Sequence, residues 1–440
     1  MTTQRCDVLV IGGGPAGSTI APLLAQKGYA VTLLEKAHHP RFHIGESLLP
    51  ANLPLFEKLG VAEQVRAIGM EKWGAEFNSP CHDHSQSYAF AEAIDKSMPM
   101  AYQVMRSTFD EILIKNAARL GVNVVEGCMA KQVTFLPKNS GVEIHAEHDD
   151  GRHSTWQARY VVDASGRDTL LSNQLKLKVR NKKHNSVAIY AHFANAQREA
   201  GREEGKISIF WFTHGWFWYI PLVDGVTSVG MVTWPYFMKT RQGNSLEQFF
   251  MDGIQQCPAL QSRLATSTME GGATATGNFS YTSNRCHGNN YLLLGDAFAF
   301  VDPIFSSGVW LAMHSGEIGA EVVDAVLSHA QIAPQALKKF ERIMLRGPKE
   351  FSWFIYRSSN PTLRNLFMAP SDKFRMRAGL LSLLAGDIFG KTPIWNSIKM
   401  FKLSYYLISF SNFKRTRDAQ KRRQVIIQRD LGVESSISST

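Results

Sequence analysis

Two kinds of apolar pattern alternate along this chain. Val8-Leu9-Val10-Ile11, Ala30-Val31-Thr32-Leu33-Leu34, Val122 to Val125, Tyr160-Val161-Val162 and Tyr291-Leu292-Leu293-Leu294 are short apolar runs, which predict buried strands. Between them a helix is predicted through Leu59 and closed by Gly60, and Ile112, Leu113 and Ala117 recur at helical spacing before Gly121. Lys131 to Phe135 and Gly141 to His148 alternate, as half-buried strands do. From Ser186 to Tyr281 the chain reads as long antiparallel strands rich in aromatic and β-branched residues: Ser186 to Phe193, Lys206 to Phe212, Trp216 to Pro221, Thr227 to Trp234 and Gly272 to Tyr281. One helical stretch, Ser245 to Gln255, separates the last two. An amphipathic helix is predicted to about Leu327, further helices from Ala336 to about Gly432, and disorder from Glu434 to Thr440.

The first apolar strand runs straight into Gly12-Gly13-Gly14-Pro15-Ala16-Gly17. Gly12, Gly14 and Gly17 have the G-x-G-x-x-G spacing: one glycine for the turn, one for the approach of a pyrophosphate, one for packing helix against strand. The second strand ends at Glu35, where a carboxylate can bind a ribose hydroxyl. An adenine dinucleotide is therefore expected. The predicted fold class is α/β: a Rossmann-like nucleotide-binding domain (residues 1–70, 99–170 and 285–335), an inserted antiparallel sheet on the substrate side (71–98 and 171–284), and a basic helical C-terminal region (336–440).

Charge sharpens the last boundary. The net charge is +10 over 440 residues, but residues 336–440 alone carry 20 Lys/Arg against 7 Asp/Glu. Such a tail is a solvated helical face, or it meets an acidic carrier protein or a membrane surface; no nucleic-acid-binding module accompanies it. Five cysteines without C-x-x-C spacing predict neither metal cluster nor disulfide framework. No apolar run reaches the roughly 18 residues of a membrane span, and the N-terminus leaves no room for a signal peptide, so a cytoplasmic setting is expected.

Beside Glu35, the mid-chain Asp163-Ala164-Ser165-Gly166 and the late Gly295-Asp296 follow in an order that resembles the FAD-dependent aromatic hydroxylase superfamily over residues 1 to about 330. The resemblance implies FAD, with Gly12, Gly14, Ala16, Gly17, Glu35, Lys36, Arg41, Ser47, Arg106, Asp296 and Val309 as its contacts. Two motifs narrow it. Lys72-Trp73-Gly74-Ala75-Glu76-Phe77 and Trp216-Phe217-Trp218-Tyr219-Ile220-Pro221 match the K-x-G-A-x-F and W-x-W-x-I-P patterns of the flavin-dependent halogenases.

That family's chemistry implies that reduced FAD and dioxygen oxidise chloride or bromide to hypohalous acid, which then travels to an electron-rich ring. No second G-x-G-x-x-G is present for NAD(P)H, so a separate flavin reductase is the implied partner. Lys72, by base rate a surface lysine, becomes the catalytic residue, holding the acid by hydrogen bond or capturing it as a haloamine. Ser307 and Gly308 match the halide positions, and Trp216, Trp218 and Phe305 the passage. Phe305 stands where free-tryptophan halogenases carry a glutamate. The loop thus resembles the branch acting on phenols and pyrroles, often tethered to an acyl carrier protein, which the basic tail would suit. A flavin monooxygenase or dehydrogenase without halide chemistry and a non-catalytic carrier- or membrane-binding flavoprotein are the competing readings.

Overall fold

The computed structural model describes residues 3–329, 331–358, 360–389, 392–412, 417–419, 421–422 and 424–428. The segment 434–440, expected to be disordered, lies outside the described residues. The apolar runs form the centre of one eight-stranded sheet: Tyr291–Leu293, His153–Asp163, Gln4–Ile11, Val31–Leu34 and Asn123–Val125 lie side by side and parallel. The alternating strands Cys128–Phe135 and Val142–His148 attach as an antiparallel flap through His153–Asp163.

Two helices aim their N-termini at the same edge of this sheet. Gly17–Gln26 follows the first strand, and Ser307–Ser328 returns from the far end of the chain to pack on it. Their approach depends on Gly316, where a Cβ would stand 2.7 Å from the Ala16 carbonyl oxygen. Two segments some 290 residues apart are thereby held in one layer.

The second eight-stranded sheet is built on Lys178–Ala194 and Thr268–Ser283, both longer than the expected strands because their ladders continue across bulges. Gly215–Pro221 shows the period of two plainly. Trp216, Trp218 and Ile220 join one apolar cluster, while Phe217 and Tyr219 join the other, beneath Leu246–Gln255. The motif segment Lys72 to Phe77 is split at Trp73 between two strands. Met70–Lys72 pairs with Ala101–Gln103 in a small ribbon, and Gly74–Asn78 pairs with Ile207–Phe212 in the large sheet. Lys72 therefore sits at the crossing between two sheets.

The C-terminal region is not simply a solvated face. Helices Ala333–Ile355, Pro361–Met368, Met376–Leu384 and Ile394–Ser411 bury Phe351, Phe354, Phe367 and Leu380 against the tryptophan face of the second sheet. Apolar burial, worth roughly 25 cal/mol per Å², ties the region to the second sheet.

Candidate functional site

Between the two sheets lies a cavity of about 710 Å³, within the roughly 300–1,000 Å³ usual for cofactor sites. Its wall includes Gly12, Gly14, Ala16, Glu35, Lys36, Arg41, Ser47, Arg106, Asp296, Ser307, Gly308, Val309, Trp216 and Trp218. Three expected site residues lie outside it. Gly17 supports the turn from beneath, because a Cβ there would meet the Gly12 carbonyl oxygen at 1.9 Å. Phe305 is buried and packs among Phe351, Phe354 and Phe367, in the same apolar cluster as Trp216 and Trp218. Lys72 is the third and touches the cavity only through Ser47.

The dinucleotide end is prepared by its own hydrogen bonds. Glu35 accepts from the Gly13 N–H at 2.6 Å and from the Ala37 N–H at 3.0 Å. At Gly14 an added Cβ would find only the Arg41 guanidinium, 3.7 Å away, so the backbone there is open to a ligand. These features fit the pyrophosphate and ribose of a dinucleotide. Lys36 is paired with Asp168. Burial pushes the Asp296 carboxyl up to about 6, against the pull of Arg167 and Arg106.

Arg106 acts first on the protein itself. It grips fully buried Asp110 through Nε (2.8 Å) and Nη2 (3.0 Å) and donates from Nη1 to the Ile44 carbonyl oxygen at 2.8 Å. Arg41 stands 3.3 Å from the same carboxylate. Burial raises the Asp110 carboxyl, but Arg106 and Arg41 outweigh it and hold it below the usual carboxylate range. This hub sets the loop Ile44 to Ser47. No motif marked Asp110; its spacing of four from Arg106 was the available signal.

Before Ser307 and Gly308 the chain makes a tight turn, Pro303–Phe305, then a left-handed Ser306 (φ 54°), then the long helix. Asp302 splits its carboxylate: Oδ1 accepts from the Ile304 N–H at 3.1 Å, and Oδ2 lies 3.1 Å from Nε2 of buried His184. The first N–H groups of a helix lack intrahelical partners and carry partial positive charge. A Cβ at Gly308 would touch nothing within 4 Å, so an anion has room there.

Lys72 is 1% exposed. Its Nζ donates to Ser47 Oγ at 2.9 Å and to the Leu48 carbonyl oxygen at 2.8 Å, with the Phe90 ring 5.4 Å away. No carboxylate forms an ion pair with it among the described residues, and burial pushes its amine down from 10.5 to about 7. Along the cavity wall Phe42 stacks on Tyr190 and Tyr190 on Trp218, with Trp216 beyond. Phe42 and Tyr190 were unmarked because their motif-free segments meet only in the fold.

A family model described as tryptophan halogenase matches residues 7–96 and 82–362. The chain belongs to the tryptophan halogenase family. In this family of flavin-dependent halogenases, one relative is a tryptophan 2-halogenase of Chondromyces crocatus, 34% identical over 76% of this chain and 64% of its own length. Another is a 1H-pyrrole-2-carbonyl-(peptidyl-carrier protein) chlorinase of Pseudomonas fluorescens, 31% identical over 88% of this chain and 91% of its own. The chain thus spans under two thirds of the first relative but nearly all of the second. Among solved structures, the myxobacterial chondrochloren halogenase covers 92% of this chain, which spans 97% of it, at 30% identity and TM-score 0.77. A flavoprotein/dehydrogenase from Cytophaga hutchinsonii covers 93%, is spanned entirely, and gives 26% identity and TM-score 0.84. The mixed α/β fold with its helical C-terminal region is that of the flavin halogenases. Among the described residues no helix is long and apolar enough to cross a membrane, and no cluster of potential ligands is placed to hold a metal.

Proposed function

We propose that this chain halogenates an electron-rich phenol or pyrrole ring carried on an acyl carrier protein, using FAD reduced by a separate reductase, dioxygen, and chloride or bromide. The carrying observation is Lys72: a fully buried lysine without a carboxylate, fixed by Ser47 on the wall of a dinucleotide-sized cavity. Bound reduced FAD, with dioxygen, supplies the oxidising equivalent that turns halide into hypohalous acid.

The chain's own groups do the rest. The Ser307 and Gly308 N–H groups bind the halide at the helix N-terminus. Gly12, Gly14, Glu35 and Arg41 hold the dinucleotide. Trp216 and Trp218 wall the cavity and exclude bulk water. Lys72 holds or captures the oxidised halogen; near neutral pH its lowered amine offers both an ammonium donor and a neutral nucleophile. The Pseudomonas fluorescens relative, whose name specifies a carrier-bound pyrrole, supports the substrate class, as does the excess of cationic residues towards the C-terminus.

The test is mass spectrometry of reactions containing protein, FAD, flavin reductase, NADH and bromide or chloride, with free and carrier-bound phenols and pyrroles. A halogen isotope pattern on a carrier-bound ring is expected. A hydroxylated product, or NAD(P)H oxidation by the chain alone, would move the reading towards the flavoprotein/dehydrogenase that shares the fold. Neutralising Lys414, Arg415 and Arg417 is expected to weaken carrier binding in a salt-dependent way; the first two lie outside the described residues.

A further inference from the structure

We infer that the C-terminal region docks on an anionic lipid surface. Its last long helix, Ile394–Ser411, buries Ile398, Phe401 and Tyr405 against the sheet side but turns a second apolar stripe outward. Leu403 is 47% exposed, Leu407 62% and Phe410 82%, and Tyr406 and Ile408 stand beside them. Positions 403, 407 and 410 share one helix face. The turn Lys373–Arg375 packs against this helix, where Ser404 Oγ lies 3.5 Å from Met376 Sδ. At its tip Phe374 is 67% exposed between exposed Lys373 and Arg375.

The turn thus presents Phe374 between two cations, the helix presents an apolar face, and no described residue covers either. Asp372 is the carboxylate next to the turn, while Lys402 is already paired with Glu350. From residue 399 to 430 the sequence holds nine Lys/Arg and two Asp/Glu. Cationic residues alone would suit any acidic partner. An aromatic tip framed by cations and an apolar helix face fit an interface with hydrocarbon below and negative headgroups above. The contact is peripheral, because no described helix can span a bilayer.

Co-sedimentation of the full chain with vesicles of phosphatidylcholine, or of phosphatidylcholine with about 30 mol% phosphatidylglycerol, tests this independently of any halogenation. Binding to the anionic vesicles, weakened by salt, is expected. Combined Phe374→Ser, Leu407→Ser and Phe410→Ser should lower it by on the order of tenfold or more, with FAD binding retained as proof of folding. Lys373→Glu with Arg375→Glu, outside the packed core, should remove the preference for anionic vesicles. Absence of wild-type binding, or equal binding by both folded variants, overturns the inference. So does a dimer that dissolves in the triple variant while neither protein binds vesicles.

Discussion

Lys72 Nζ lies 2.9 Å from Ser47 Oγ, and Ser47 lines the dinucleotide cavity while Lys72 does not. One hydroxyl thus joins a buried amine to the space where a cofactor and halide would meet. Lys72→Ala is expected to keep FAD binding and abolish halogenation. Retained product formation by the purified variant would refute the role of this lysine.

The same burial makes a stability prediction with a definite sign. The Lys72 amine sits near 7 when folded and 10.5 when free, so between those values the unfolded chain holds the extra proton. The cost of burying its charge is complete below about pH 7 and is relieved as pH rises towards 10.5. Lys72→Met should therefore be more stable than the parent at pH 6, by a margin that shrinks with rising pH. Denaturant midpoints at pH 6 and 9 check this, and an unchanged margin would count against the buried, unpaired amine.

Two glycines of one motif separate into two phenotypes. Gly17→Ala drives a Cβ into the Gly12 carbonyl oxygen and should lower stability by about 1–3 kcal/mol or more. At Gly14 a Cβ would meet only the Arg41 guanidinium, at an ordinary contact distance of 3.7 Å, so Gly14→Ala should fold normally and lose FAD affinity. Thermal melts and FAD titrations distinguish them; matching phenotypes would contradict the assignment.

Glu35 accepts two backbone N–H groups at the turn. Charge-assisted hydrogen bonds are worth roughly 1.5–3 kcal/mol, so Glu35→Gln should weaken FAD binding by about tenfold or more. Unaltered affinity in a fluorescence titration would remove Glu35 from the cofactor contacts.

His184 ties the turn before the proposed halide residues Ser307 and Gly308 to the second sheet through Asp302. His184→Phe should loosen residues 302–309 to hydrogen exchange and raise the halide KM by on the order of tenfold, leaving kcat at saturating halide little changed; His184→Gln, with a retained donor, should recover part of the loss. Unchanged exchange would show that the histidine anchors nothing.

Local chemistry made much of this protein legible in its sequence. Glycine spacing, the apolar run before it and the acidic residue after the second strand mark a dinucleotide turn, because that geometry admits few residues. Lys72 and the tryptophan pair were legible as motifs, and the alternation from Trp216 to Ile220 follows from the two-residue period of a strand. Only the tertiary structure decided where those residues face. Lys72 reads as a surface residue until two sheets cross at Trp73 and enclose it. The ring neighbours of Phe305, namely Phe351, Phe354 and Phe367, are brought by helices downstream and could not be read from its own loop. Local backbone preferences act within a few residues and leave their mark in the sequence. Burial and ion pairing between distant segments depend on which faces the chain brings together, and that is settled only when the whole core packs.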